Sequence, residues 1–213
     1  MDTNTQTFWD WFTAHTEQLT MLADLADEER TSLIDQLDNQ LQAYCPGLTC
    51  EIGEQTTNGR TLTISAEGDF DLFRYVVDLV DNAPDIDWWE FVAFKQPKGT
   101  NLRVQFDLYH FDTSQMYFLQ LQNDEEPEIL GLRVALPTAM MQPQSKKKAS
   151  PEEEDDLLVG VYVTLEALIG EFDCTTLVGY LETCPVPENP QKEGFRPLDE
   201  FPKFIEWFKS QQQ

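Results

Sequence analysis

Twice in this chain, two short apolar segments are followed by a helical stripe and then by a further strand-like segment, at roughly 48–94 and again at 115–184. No clear sequence repeat accompanies the two runs, so the duplicated ββαβ order is a structural expectation. The first run carries the sharper signals. "LTCEIGEQ" and "RTLTISAEG" flank Thr57-Asn58-Gly59. Asn-Gly between alternating segments is the strongest short-range hairpin signal. Leu62 and Ile64 point one way, Thr61 and Thr63 the other. Phe70, Phe73, Val76, Val77 and Val80 then form a helical stripe ended by Asn82 to Pro84. "WWEFVAFKQP" follows as a strand, apolar on both faces, with Phe91 and Ala93 opposed to Val92 and Phe94. That pattern predicts an interior strand.

The second run is preceded by "NLRVQFDLYHF", which reads as one strand. "QMYFLQLQ" and "EILGLRVAL" are joined by a turn at 123–127. Residues 141–156 place a Lys run beside an acidic run, which predicts a flexible charged loop whose acidic end leads into a helix. "LLVGVYVTLEALIGEFD" is that helix, by the spacing of Leu165, Leu168 and Ile169. "TTLVGYLETCPV" is a strand, and "PLDEFPKFIEWFK" a terminal helix. Two helices precede everything. The first runs from about Thr5 to Asp24, capped by Thr5 or Asn4, with Phe8, Trp11, Phe12, His15, Leu19 and Leu22 as its stripe. The second runs from Asp27, whose acids suit a first turn, to just before Pro46-Gly47. "FWDWF" near the start is echoed by "FIEWF" near the end, so an aromatic helix face pins both ends of the chain. The class is α+β, a mostly antiparallel sheet covered by helices. The chain reads as one compact domain, with sub-units at 1–97 and 98–213.

Charge bounds the partners. The chain carries 39 acidic and 14 basic residues, a net charge of −25. A field of that sign repels nucleic-acid phosphates and anionic membrane surfaces, and it attracts cationic proteins. The plainer reading is a solubility coat. The imbalance is concentrated in residues 1–57, which hold eleven acids and one base, Arg30. Cys45, Cys50, Cys174 and Cys184 have C-x4-C and C-x9-C spacing, unlike zinc or redox motifs. With no secretory pattern at the start, and no stretch of 18 apolar residues, the expectation is a reduced, cytoplasmic, soluble protein.

"FWDWF", "LTISAEGDFDLF", the helix end at Ala83-Pro84, "WWEFVAFKQP" and "LEALIGEFD" occur in this order. The ordered set resembles a family of bacterial domains of unknown function, over most of the chain outside 141–156. The resemblance implies a compact α/β unit in a bacterial cytoplasm. It implies no reaction, cofactor or catalytic residue.

Motifs for phosphate cradling, a serine nucleophile elbow or a histidine metal site are missing from the sequence, so no cofactor is expected. The nearest approach to a metal or acid–base cluster is Asp107, His110 and Asp112 in "DLYHFD". There His110 and Asp112 share a strand face, and Asp107 takes the other. Glu171 and Asp173 in "LIGEFD" form a second carboxylate pair, although among 39 acids such pairs arise by chance. Gly170 before them reads as a helix C-terminus. Trp88 and Trp89 are adjacent at a strand start and must face opposite ways. Trp9 falls off the stripe of the first helix. These three tryptophans are the candidate binding residues, against the plainer reading that neighbouring segments cover them. The favoured function is a non-enzymatic acidic protein that engages a cationic protein partner through its N-terminal helices, as an immunity or regulatory protein would. The alternative is a carboxylate- or metal-dependent hydrolase. Self-association through exposed aromatics is a third reading.

Overall fold

The computed structural model describes residues 3–122, 126–142 and 151–212, with the side chains of 3 and 151–155 outside that description. Residues 123–125 of the expected turn and 143–150 of the expected charged loop therefore lie outside the described residues. Among the described residues the fold is α+β, with six α-helices and nine strands in three small sheets. The chain divides into two compact units, 1–95 and 96–213.

The first unit opens with α1 (Thr3–Thr20) and α2 (Asp27–Tyr44), linked by a 3-10 turn at Leu22–Asp24. Strands β1 (Thr49–Ile52) and β2 (Arg60–Ser65) pair antiparallel. Helix α3 (Phe73–Asp81) then crosses over, and β3 (Trp89–Ala93) returns parallel to β2. Strand β3 has an outer position in the order β1-β2-β3, so the expectation of an interior strand is corrected. Its apolar content has another cause. Trp89 and Phe91 pack on α1, with Phe12 at 5.0 and 5.3 Å between ring centroids. Phe94 adopts a φ of 66°, which breaks the alternation and brings its ring to 4.4 Å from Phe73.

The buried face of α1 is Thr5, Phe8, Trp9, Phe12 and Leu19. Trp9 is 2% exposed, and its indole donates to the Leu79 carbonyl at 2.9 Å. The last carbonyls of a helix have no helical partner. The Ala83 N–H bonds to Val80 instead of Leu79, so Trp9 satisfies an acceptor at the end of α3. Trp11, placed on the stripe by the sequence, is half-buried beside His15. Stepping 100° per residue, Phe8, Trp9 and Phe12 span one arc, and Trp11 falls outside it. Thr5 does not cap α1. It lies inside the helix, fully buried, and donates to Asp78 Oδ2 at 3.2 Å. On α3 the core residues are Phe73, Val76 and Leu79, while Val77 is exposed, as is Phe70 in the 3-10 turn that precedes the helix.

The second unit begins with a hairpin, β4 (Arg103–Phe106) and β5 (Tyr109–Asp112), where the sequence predicted one strand. The turn is Asp107-Leu108, with Asp107 at a φ of 46°. Aspartate tolerates that left-handed conformation better than most residues. The unit continues with β6 (Tyr117–Leu121), β7 (Leu130–Leu136), α4 (Pro151–Ile169), α5 (Glu171–Leu177), β8 (Val178–Pro185), β9 (Arg196–Pro197) and α6 (Phe201–Gln211). Residues 151–156, expected in a loop, open α4, and Thr175 to Leu177, expected in a strand, close α5. Gly170, at a φ of 86°, separates α4 from α5.

The sheet order is β8-β7-β6-β9, antiparallel except for the parallel pair β7 and β8. The ββαβ order thus recurs with the same pairing in both units: an antiparallel pair, a helical crossover, then a parallel return. The second core joins Phe118, Leu132 and Val134 of the sheet to Val161 and Leu165 of α4. From α6 it receives Phe201, Phe204, Ile205 and Phe208. Trp207 of "FIEWF" is 53% exposed. In both echoed aromatic motifs the tryptophan three places after the first Phe is peripheral, and the residue directly after that Phe, Trp9 or Ile205, is core.

Two stability outcomes follow. A Cβ on Gly59, which has a φ of 111°, would stand 2.1 Å from the Trp88 carbonyl oxygen. Gly59→Ala is expected to lower unfolding free energy by about 3 kcal/mol. Trp9→Phe keeps an aromatic ring but orphans the Leu79 carbonyl, and is expected to cost about 2 kcal/mol. Urea denaturation measures both, and a loss under about 0.5 kcal/mol in either variant would contradict this packing.

Candidate functional site

Cross-strand pairing in the β4–β5 hairpin sets the face of each side chain. Arg103 lies opposite Asp112, and Gln105 opposite His110. These four form a polar face. Val104, Phe106, Tyr109 and Phe111 form the apolar one, which packs on α4 where Gly160 leaves no room for a Cβ beside Phe111. His110 and Asp112 line one open depression of about 440 Å3, together with Arg103, Gln105 and Met140. Asp107 is in the turn and does not line it.

The Asp112 carboxylate is already committed. It accepts from the Ser114 hydroxyl and backbone N–H and from Gln115 Nε2, and Arg103 stands 3.6 Å away. The Ser114 hydrogen bond, with these others, holds its carboxyl below the usual range. Such a group caps a turn and is a poor proton acceptor at neutral pH. Among the described residues, no three His, Cys, Asp or Glu side chains gather as a metal-binding group.

Glu171 and Asp173 do not act together. Glu171 is fully buried at the start of α5. Asp173 pairs with Lys209 Nζ at 2.8 and 2.9 Å, which ties α5 to α6. Spacing along the chain does not reveal this pair, because its partners are 36 positions apart.

The four thiols are free and shifted in one direction. Burial pushes Cys50 up to about 12 and Cys174 up to about 12, and it also raises Cys45 and Cys184. A cysteine nucleophile or metal ligand needs the opposite shift. Here the thiols behave as core and edge packing.

The three candidate tryptophans separate sharply. Trp9 and Trp89 are buried, and Trp89 Nε1 donates to Thr20 Oγ1 at 2.9 Å. Trp88 is 65% exposed.

The feature that residue-by-residue reading missed is a cleft between α1 and α2. It is open, about 520 Å3, and lined by His15, Gln18, Glu28, Glu29, Ser32 and Gln36 among others. His15 Nδ1 is 2.8 Å from the Trp11 carbonyl and so must donate to it, which leaves Nε2 as the ring's other polar atom. Every Asp and Glu between residues 10 and 38 is exposed. Arg30, the one base there, is paired with Asp27 at 2.5 Å. The helical spacing of the acids contained this surface, but sequence alone does not show that α1 and α2 leave a cleft between them.

The raised thiols are directly measurable. With a disulfide reagent at pH 8, Cys50 and Cys174 are expected to stay protonated and unreacted in the native protein. All four thiols should titrate in guanidinium. Rapid native labelling of Cys50 or Cys174, read by peptide mass, would contradict the burial described above.

No helix among the described residues is long and apolar enough to cross a membrane. Comparison with protein-family models, with curated proteins and with solved structures finds no match to this chain.

Proposed function

We infer that this protein is a non-enzymatic acidic binding protein that engages a cationic protein partner through α1 and α2. The observation that carries the reading is the state of the charges on that helical pair. Its carboxylates all face solvent, and its single base is neutralised by a neighbour on the same helix. A surface so arranged keeps its negative field for a partner, steering it into contact and discriminating against anions. The open cleft between α1 and α2 adds concave acidic relief. In this reading the protein acts in a reducing bacterial cytoplasm, which suits four free thiols. Its mode is that of an immunity or regulatory protein, which works by occupying its partner's surface. The family resemblance of the "FWDWF" to "LEALIGEFD" series fits such a setting.

The test pairs capture with charge reversal. Immobilised protein is exposed to native lysate at low and at high salt, beside a variant carrying Asp24→Lys, Glu28→Lys, Glu29→Lys and Asp35→Lys. The expected result is a basic protein retained at low salt, released at high salt, and not recovered by the variant. Circular dichroism should show the variant folded. Recovery of the same protein by the reversed surface, or no salt-sensitive capture at all, would overturn the reading.

A further inference from the structure

Trp88 is far more exposed than the other tryptophans of its unit, of which Trp11 is half-buried against His15. Trp9 and Trp89 are buried with their indole N–H groups bonded. Trp88 is 65% exposed, and its indole makes no hydrogen bond among the described residues. Exposure of a large aromatic forgoes the burial that usually justifies it.

Its backbone is unusual as well. Trp88 has a φ of 67°, in the left-handed region that side chains with a Cβ rarely adopt. The surroundings enforce that conformation. The Trp88 carbonyl accepts from the Arg60 N–H at 2.8 Å, and the Trp89 N–H bonds to the Ile86 carbonyl at 3.1 Å. Gly59 packs directly against the Trp88 backbone. An over-determined, strained residue that projects an aromatic into solvent is pre-organised, and a rigid aromatic loses little entropy on binding.

The chemistry around the ring specifies its ligand. Asp85, Asp87 and Glu90 are exposed, and none of their carboxylates makes a hydrogen bond or ion pair among the described residues. The neighbouring base does not offset them. Arg60 is 8% exposed, with its guanidinium turned to Gln55 Oε1 at 2.9 Å and to the Gly53 carbonyl. An exposed indole with carboxylates three positions before it, one before it and two after it in the chain attracts a cation twice, through the ring quadrupole and through ion pairing. A guanidinium suits it best, because it is planar and weakly hydrated. A second copy of this chain would bring a further charge of −25 against the same rim.

We propose that Trp88 is the anchor on which this protein seats an arginine or lysine side chain of its partner, with Asp85, Asp87 and Glu90 as the surrounding rim. This rests on the acidic-binder reading and locates a site for it outside the α1–α2 cleft. The Trp89 bond to Thr20 ties the start of β3 to the end of α1, so Trp88 directly precedes a segment anchored to the first helix.

The test uses the whole protein with 15N-labelled tryptophan side chains, titrated with an octa-arginine peptide and, separately, with octa-glutamate at low salt. The Trp88 indole signal, identified by its loss in Trp88→Phe, is expected to move with octa-arginine alone. Trp88→Ala should raise the Kd by about fivefold or more, and Trp88→Phe by less. Trp207→Ala, which removes an exposed tryptophan from the other unit, should leave it within about twofold. Trp88→Asn repeats the measurement with a residue at ease in the left-handed region, which guards against a folding defect in the alanine variant. Unchanged affinity in both Trp88→Ala and Trp88→Asn, with octa-arginine still bound, would overturn this proposal and leave the α1–α2 reading standing. Absence of octa-arginine binding at low salt would overturn both. A Trp88-dependent dimer in light scattering would assign the ring to self-association and overturn the proposal alone.

Discussion

The first unit depends on the contact between Trp9 and the end of α3. One indole fills the space between α1 and β3, with Phe91 at 4.6 Å, and at the same time satisfies the Leu79 carbonyl. Burial of so large a side chain contributes on the order of 3 kcal/mol. The hydrogen bond makes the position specific, since any other apolar residue would leave a buried acceptor unpaired. Phe12 and Trp89 then pack edge to face beside it. Trp89 in turn fixes the far end of α1 through Thr20. A helix, a crossover helix and a strand are thus held by one aromatic group. Local propensity would not join them, because they come from positions about 70 residues apart.

That arrangement also explains where the exposed indole comes from. Burying Trp89 beneath α1 fixes the start of β3, and the close approach of Gly59 fixes the turn before it. The residue between these restraints is Trp88, which is left with a positive φ and no interior to occupy. Rigidity of the core and presentation of the surface have one cause. The carboxylates of Asp85, Asp87 and Glu90 add charge without adding ion pairs among the described residues, so they govern association more than stability.

The ββαβ order was legible because periods of 2 and 3.6 are local properties. Its duplication became visible only in the pairing of β2 with β3 and of β7 with β8. The misread segments share a physical origin. The β4–β5 hairpin turns at Asp107-Leu108, which carries none of the Gly chemistry that marks tight turns. Trp9 falls off the stripe and Trp11 on it because a stripe counted in steps of three and four does not locate the centre of the buried arc. Neighbouring elements decide that centre. Among the candidate site residues, His110 and Asp112 were correctly placed on one face. The commitment of Asp112 to Ser114 and Gln115, and of Asp173 to Lys209, depends on geometry that spacing does not encode.

The sequence by itself determined the α+β class, the helical identity of both aromatic ends and the negative field, because composition and periodicity act through neighbours along the chain. Tertiary structure alone decided which tryptophans are core and which one is presented. It also decided that the thiols are pushed upward, and that α1 and α2 leave an open acidic cleft. Burial, desolvation and backbone strain are set by what packs against a residue from distant parts of the chain. For Trp88 and Trp89, adjacent and chemically identical, that difference is the whole distinction between an exposed ring and a core one.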